Sequence, residues 1–439
     1  MLLRAAIFAA LVATLAAPSS ADDPPRGTLE EEIAAAVGLP TPKARAAAAS
    51  AIAGRADVTL PLLLEAMRSF GTFAKQDPGL HHETAPLQVG DKVETTELHV
   101  FVPASYDPAK PAPLLLFFHG AKGDGSEAFP PWQPWGERLG MLIVAPTEAG
   151  PNEGFKSSDR ERWSALAVLR WARRRFNVDE NRVHLTGGSR GGHMTWDVGL
   201  RFPDLFASLT PMIGGPRLRA DHGGNNLRFL ENVLDVPIRD LQGSKDHPML
   251  LFDLHLAFKK LDAWKARDAK LIEFADRGHD FDFTAVDWGT FLPSAVRDPA
   301  PSRVLRRATK PSEGRAFWAE IAKVAPFVVD DVAPIAPPEW KSMTEDAQRL
   351  FIEDAAEKAT ARLSVKRTDV GKFEAVGTGV VKFRLLLSDG MFDPAKPVTV
   401  SWNGQAVTHP VRPSKATLLA EFVERFDRTF LPVVEVQVP

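Results

Sequence analysis

The chain has 439 residues, enough for two or three domains at roughly 150 residues each. Hydrophobic residues make up 44% and charged residues 25%, which is a globular composition and not that of a disordered or collagen-like chain. Lys plus Arg (53) nearly balance Asp plus Glu (56), a formal charge of −3, so no basic footprint for nucleic acid is expected; the absence of cysteine excludes disulfides, thiol nucleophiles, Cys-ligated zinc and iron–sulfur clusters.

In chain order, Arg4 precedes an apolar run from Ala5 to Ala17, and the small residues Ser19 and Ala21 then fit a cleavage site after Ala21. Residues 1–21 are therefore expected to be a signal peptide, with the mature protein exported to a periplasmic or extracellular space. The run is shorter than the roughly 20 residues a membrane span needs, and no stable span is expected elsewhere. Residues 22–90 are predicted to be a helical region. Thr28-Leu29-Glu30-Glu31 has the capping-box spacing and opens a helix that stops at Gly38. A second helix follows Thr41-Pro42 and ends near Gly54, and a third covers 60–70. The region carries no chemical motif and reads as a packing collar.

Residues 91–300 read as the catalytic domain. Strands are predicted at 94–102, 113–118, 141–145, 182–186, 208–213, 236–242 and 270–274, with helices at 159–176, 191–202 and 248–264. Continuously apolar strands alternating with amphipathic helices imply an α/β, doubly wound and mainly parallel sheet. After about residue 300 the alternation stops. Residues 301–439 are predicted to be a separate, mainly β domain with a helix at 343–358 and strands at 361–365, 379–387, 398–402 and 405–411. Asn403-Gly404 marks a hairpin between the last two. This domain is the expected surface for any glycan or protein contact.

The chemistry concentrates after the strand 182–186. There Gly187-Gly188-Ser189-Arg190-Gly191 runs into a helix. A serine nucleophile needs a sharp turn between strand and helix, and glycines let the backbones approach there. Ser189 is the expected nucleophile, and the helix start behind it directs positive dipole toward developing negative charge. A serine needs a base held by an acid, and in this architecture the acid and then the histidine follow in the chain. Asp246 in Gly243-Ser244-Lys245-Asp246 is the expected orienter, with Asp240 and Asp235 as competitors. His279 in Arg277-Gly278-His279 is the expected general base, preferred over His247. Both follow strand ends, where sites form in open α/β sheets. The oxyanion donors are expected to be the backbone N–H groups of Arg190 and of Ala121, the latter in the loop His119-Gly120-Ala121-Lys122-Gly123. His119 itself reads as a structural histidine. Trp132, Trp135 and Trp196 are candidates for an apolar lining.

Taken together, Phe118-His119-Gly120-Ala121, the elbow from Leu185 to Trp196 with Arg201-Phe202-Pro203-Asp204 after it, and Gly278-His279 resemble the α/β-hydrolase superfamily. The nearest branch is similar to the polyhydroxybutyrate-depolymerase-like and phospholipase/carboxylesterase-like esterases. The resemblance covers about 94–291. It implies a serine esterase without cofactor or metal, acting on a small-molecule or polymeric ester through Ser189, Asp246 and His279. It departs from the usual pattern at Arg190, where such families often carry a hydrophobic residue, and in the charged strand holding Arg239 and Asp240. The alternatives are a peptidase of the same fold or a non-catalytic binding protein.

Three other motifs compete. Gly123-Asp124-Gly125-Ser126-Glu127-Ala128 fits a loose dinucleotide fingerprint, but only if a helix starts within the glycines. His81-His82-Glu83 contains metal-ligand residue types, but adjacent histidines suit no single helix face, and a solvated loop is expected. Arg173-Arg174-Arg175 is expected to complement a helix dipole.

Overall fold

A computed structural model describes residues 27–90, 92–148, 155–218, 225–332 and 334–439. The expected signal peptide, residues 1–21, lies outside the described residues. Helices α1 (Leu29–Gly38), α2 (Pro42–Ala53) and α3 (Leu60–Arg68) come first. Thr28, Thr41 and Thr59 cap them through hydroxyls that accept a backbone N–H three residues on, and Thr28 completes a capping box with Glu31. Each such cap contributes about 1 kcal/mol.

The rest of the region expected to be helical is a strand. β1 (Gly79–Val89) pairs antiparallel with β2 (Lys92–Val102). Its buried positions, Ala85, Leu87 and Val89, lie only at the C-terminal end, so polar residues conceal the period-2 signal over the first half. Pro86 is tolerated because β1 is the edge of its sheet. The large sheet continues through β3 (Ala112–Phe118), β4 (Leu142–Thr147), β5 (Val178–Gly188), β6 (Ser208–Met212), β7 (Ile238–Gly243) and β8 (Ala269–Phe274). Its spatial order is β1-β2-β4-β3-β5-β6-β7-β8. β1, β2 and β4 run antiparallel to their neighbours in turn, and every pairing from β4 through β3 to β8 is parallel. This is the α/β-hydrolase fold.

The apolar β3 alternates between two cores. Leu114, Leu116 and Phe118 pack with α5 (Asp159–Arg175), α6 (Arg190–Arg201) and α7 (Pro248–Ala263). Leu115 and Phe117 pack on the other face with Trp132 of α4 (Phe129–Leu139) and Trp288 of α8 (Trp288–Ser294). Both faces are thus covered, as a parallel sheet requires. Trp132 and Trp196 are fully buried, so they are core and not pocket lining.

Residues beyond 300 form the helix α9 (Glu345–Lys358) and two further sheets. One has four strands, β10 (Arg315–Ala316), β11 (Ala319–Val324), β14 (Val380–Leu387) and β17 (Val434–Val438). The other has five, β9 (Arg303–Ala308), β12 (Ala361–Asp369), β13 (Lys372–Thr378), β15 (Val398–Trp402) and β16 (Gln405–His409). Asn403 (φ 47°) and Gly404 (φ 86°) turn β15 into β16, the left-handed pair that a two-residue hairpin requires. β9 reads Arg-Val-Leu-Arg-Arg-Ala and was not apparent as a strand. Its arginines lean on tertiary partners: Arg307 meets Glu231 at 2.8 Å and Arg306 donates to the Arg201 carbonyl at 2.6 Å. The N-terminal helices are not a collar on the large sheet. Ile33, Ile52, Leu63 and Met67 share one buried cluster with Leu363, Leu385, Leu418 and Phe422, the last two from α10 (Lys415–Arg425).

Buried ion pairs join the two halves. Asp427 meets Arg297 at 2.7 Å, Glu231 takes Arg362 (2.5 Å) as well as Arg307, and Asp204 pairs with Arg425. Asp197 on α6 meets Arg162 of α5 at 2.5 Å and Arg201 at 3.3 Å. Burial alone would raise the carboxyl groups of Asp197, Glu231, Glu421 and Asp427, but their arginine partners outweigh it and hold all four below the ordinary carboxylate values. A depressed carboxylate stabilises the fold above its unfolded-state pKa of about 4, and that contribution is lost as pH falls through the folded-state value. The thermal midpoint is accordingly expected to drop steeply below about pH 4. Asp197→Ala should cost about 3–5 kcal/mol in denaturant unfolding, because it removes the fully buried carboxylate that Arg162 and Arg201 share.

Candidate active site

β5 ends at Gly188 and α6 begins at Arg190, leaving Ser189 between them at φ 54°, ψ −114°. A positive φ costs a non-glycine residue about 1–3 kcal/mol and persists only where the surroundings enforce it. Here the Ser189 N–H donates to the Met212 carbonyl at 2.9 Å, and the Ser189 carbonyl accepts from the His193 N–H at 3.0 Å. The serine backbone is thereby fixed between the end of β6 and the first turn of α6. The neighbouring glycines have a steric reason. A Cβ on Gly187 would lie 2.6 Å from the Phe118 carbonyl, and one on Gly191 only 1.9 Å from it. On the far side, Gly214 would place a Cβ 2.5 Å from the Ser189 carbonyl.

Asp246 and His279 come from the loops after β7 and β8, and the backbone zips those loops together. Ser244 N–H donates to Phe274 O at 3.0 Å and Lys245 N–H to Arg277 O at 2.7 Å. Gly243 sits where a Cβ would be 1.9 Å from the Gly278 carbonyl, so only glycine allows the loops this close. The side chains then form a continuous line. His279 Nε2 lies 2.8 Å from Ser189 Oγ, and His279 Nδ1 lies 2.8 Å from Asp246 Oδ2. Three residues far apart in sequence meet at the C-terminal rim of the sheet.

Asp246 is almost covered and His279 is half exposed, at 8% and 51% of side-chain area. Burial would raise the Asp246 carboxyl, but hydrogen bonds from the His247 N–H (2.6 Å), His279 and Gln242 Nε2 (2.7 Å) hold it below its ordinary value. The carboxylate therefore stays ionised beside the imidazole. Gln242 was missed in the sequence; its place on the strand four residues before the acid was the only signal. Of the competing acids, Asp240 is fully buried, accepts from Trp196 Nε1 at 2.7 Å and is pushed well above its ordinary value by burial, while Asp235 is exposed. His247 is occupied in capping α7, its Nδ1 accepting from the Met249 N–H at 3.3 Å.

The loop after β3 passes directly over the serine. A Cβ on Gly120 would lie 3.8 Å from Ser189 Cβ, and the Gly120 N–H donates to Glu127 Oε2 at 2.7 Å. Glu127 is a second residue the sequence did not flag. Ala121 follows Gly120 at the exposed mouth of the loop. Arg190 is the first residue of α6, so its N–H is one of the first-turn donors that no intrahelical carbonyl can reach. His119 is buried, its Nδ1–H donating to the Gly120 carbonyl (2.7 Å) and its Nε2 accepting from the Glu148 N–H (2.9 Å), a structural pairing.

The glycine-rich 123–128 segment does not start an α-helix. Gly125–Ala128 is a single 3₁₀ turn, and α4 begins only at Phe129. Gly125 serves packing, since its Cβ would lie 2.3 Å from the Ala145 carbonyl. Arg173 is buried against the C-terminal half, and burial lowers its guanidinium to about 10.

Comparison with known proteins finds esterases among those to which the chain is similar. No protein-family model matches the chain. Poly(3-hydroxyalkanoate) depolymerase C of Paucimonas lemoignei is 29% identical over 118 residues, 24% of this chain and 28% of that protein. Feruloyl esterase C of Emericella nidulans is 23% identical over 195 residues, 42% of this chain and 72% of that protein. Probable acetylxylan esterase A of Aspergillus terreus is 24% identical over 142 residues, 29% of this chain and 45% of that protein. The chain thus spans less than half of the acetylxylan esterase and less than a third of the depolymerase. A solved ferulic acid esterase is 19% identical and overlaps 50% of this chain and 97% of its own, with a TM-score of 0.40. Among the described residues no helix is long and apolar enough to cross a membrane.

The contact of Gly243 with Gly278 makes a direct prediction. Gly243→Ala should push the acid loop away from the histidine loop and cost about 1–3 kcal/mol by overpacking. Thermal unfolding checks the cost, and a crystal structure should find His279 Nδ1 beyond hydrogen-bond reach of Asp246.

Proposed function

We propose that this chain is a serine hydrolase of carboxylic esters, exported from the cell by its N-terminal segment. The observation that carries the reading is the unbroken hydrogen-bonded line from Ser189 Oγ through the His279 ring to Asp246, with 2.8 Å at each joint. A hydroxyl raised on a strained turn, a base within reach of its proton and an ionised acid behind that base are the parts acyl transfer needs.

Ser189 Oγ attacks the ester carbonyl as His279 Nε2 takes its proton. Asp246, held ionised by Gln242 and the His247 N–H, fixes the tautomer with the proton on Nδ1 and stabilises the imidazolium. The tetrahedral oxyanion is received by the N–H groups of Arg190 and Ala121, each worth about 3–4 kcal/mol when removed. His279 then protonates the leaving alcohol. In the second half it deprotonates a water that attacks the acyl-serine, and releases Ser189 with the acid product. The curated relatives carry names of enzymes that act on acetylated xylan, feruloyl and polyhydroxyalkanoate esters. They support a small-molecule or polymeric ester as substrate, and the half-exposed histidine suits a site open to a long chain.

Ser189→Ala should lower kcat/KM on short-chain aryl esters by about 10⁴–10⁶-fold, and Asp246→Asn by about 10⁴-fold, with the thermal midpoint of Ser189→Ala unchanged. A fluorophosphonate probe should label the wild type at Ser189 alone. Absence of labelling would favour a binding protein on a hydrolase scaffold, and faster turnover of peptide amides than of esters would make the enzyme a peptidase.

A further inference from the structure

The His81-His82 pair, expected in a solvated loop, lies instead on β1, where successive side chains point to opposite faces. His81 turns to the Asp77 carbonyl (2.7 Å). His82 turns the other way and sits directly across from His99 of β2. The two imidazoles stack with centroids 4.6 Å apart and planes 24° apart. Glu97, two residues before His99, presents its carboxylate on the same face, 2.5 Å from His82 Nε2 and 3.9 Å from His99 Nε2. Asp124, on the loop after β3, places Oδ1 3.9 Å from the same His99 nitrogen.

His99 is the telling member. Its Nε2 is buried and has no hydrogen-bond partner, although two carboxylates face it, each too far for a hydrogen bond. A buried polar atom left in this way is costly. The ring cannot turn freely to find another partner, because Gly125 packs so closely that a Cβ there would lie 2.7 Å from His99 Cδ2. Asp124 is fixed as well, accepting the Ser126 N–H at 2.8 Å. The ligand atoms of His82, Glu97 and His99 all lie within 4.8 Å of one another.

We propose that His82, Glu97 and His99 form a binding site for a divalent transition-metal ion of the zinc class, with Asp124 facing its His99 side. Two imidazoles and carboxylate oxygens are the donor set zinc takes, at about 2.0–2.2 Å and four-coordinate. An ion at those distances needs ligand atoms about 3.3 Å apart, which rotations of the His82 and Glu97 side chains supply around the fixed His99 nitrogen. The ion satisfies the orphaned nitrogen and neutralises the facing carboxylates. Its position gives it a mechanical role. Asp124 caps the 3₁₀ turn that carries Glu127, and Glu127 accepts from the Gly120 N–H in the loop beside Ser189. A metal here braces the edge strand β1 and its neighbour β2 beside the loop after β3 that holds Ala121.

The test uses the full chain, free of any polyhistidine tag and stripped with chelator. Isothermal titration with ZnCl₂ should find one saturable site per chain, and zinc should raise the thermal midpoint by several degrees. His82→Ala and Glu97→Gln, both at exposed side chains, should each weaken binding at least about tenfold, the scale seen even for outer partners of a metal, while leaving the metal-free midpoint unchanged. His81→Ala, one residue away on the opposite face, should bind as the wild type does. No saturable binding, equal affinity in the His82 and Glu97 variants, or binding of calcium or magnesium as tight as that of zinc would overturn the proposal. Ser189→Ala should bind zinc like the wild type, so the outcome stands apart from the hydrolase reading.

Discussion

The structure turns on a single close approach. Ser189 is held at a positive φ because strand β5, the end of β6 and the first turn of α6 all meet there, and Gly187, Gly191 and Gly214 leave no room for a side chain. The strain at one residue is small beside the burial of the sheet on both faces. The sheet can enforce it because β5 lies in its middle, between β3 and β6. Everything chemical is then a matter of bringing two loops to the hydroxyl.

The same device recurs at the other side of the site. Gly243 lets the loops after β7 and β8 touch backbone to backbone at Gly278, and two hydrogen bonds fasten them. Asp246 and His279 are thus positioned relative to each other before either meets the serine. The charged character of β7 follows from its surroundings. Arg239 reaches Asp268 at 2.8 Å, and Asp240 is kept buried by the Trp196 indole, which leaves Asp246 as the carboxylate at the rim.

The C-terminal half is bound to this frame through charge. Asp197 and Arg201 belong to α6, the helix that follows Ser189, and Arg201 continues to Glu313 in the C-terminal half. Arg170 on α5 donates to the Val37, Val423 and Glu424 carbonyls, so one arginine touches α1 and the end of α10 together. Buried pairs of this kind add little net stability but are costly to break. The two halves therefore hold a defined relation to each other.

The apolar run at 113–118, the elbow around Ser189, the turn at Asn403-Gly404 and the residues at 246 and 279 were legible from the sequence, because each depends on local constraints: strand burial, glycine sterics, and chemistry that permits few residue types. β1 was hidden because an edge strand needs little apolar alternation, and β9 because Arg307 finds a carboxylate, and Arg306 a backbone carbonyl, across the domain junction. The partners Gln242 and Glu127, the core shared by the N-terminal helices and the C-terminal strands, and the facing of His82 with His99 were decided by tertiary structure alone. Each depends on which segments the sheet order places side by side, and no spacing along the chain encodes that distance.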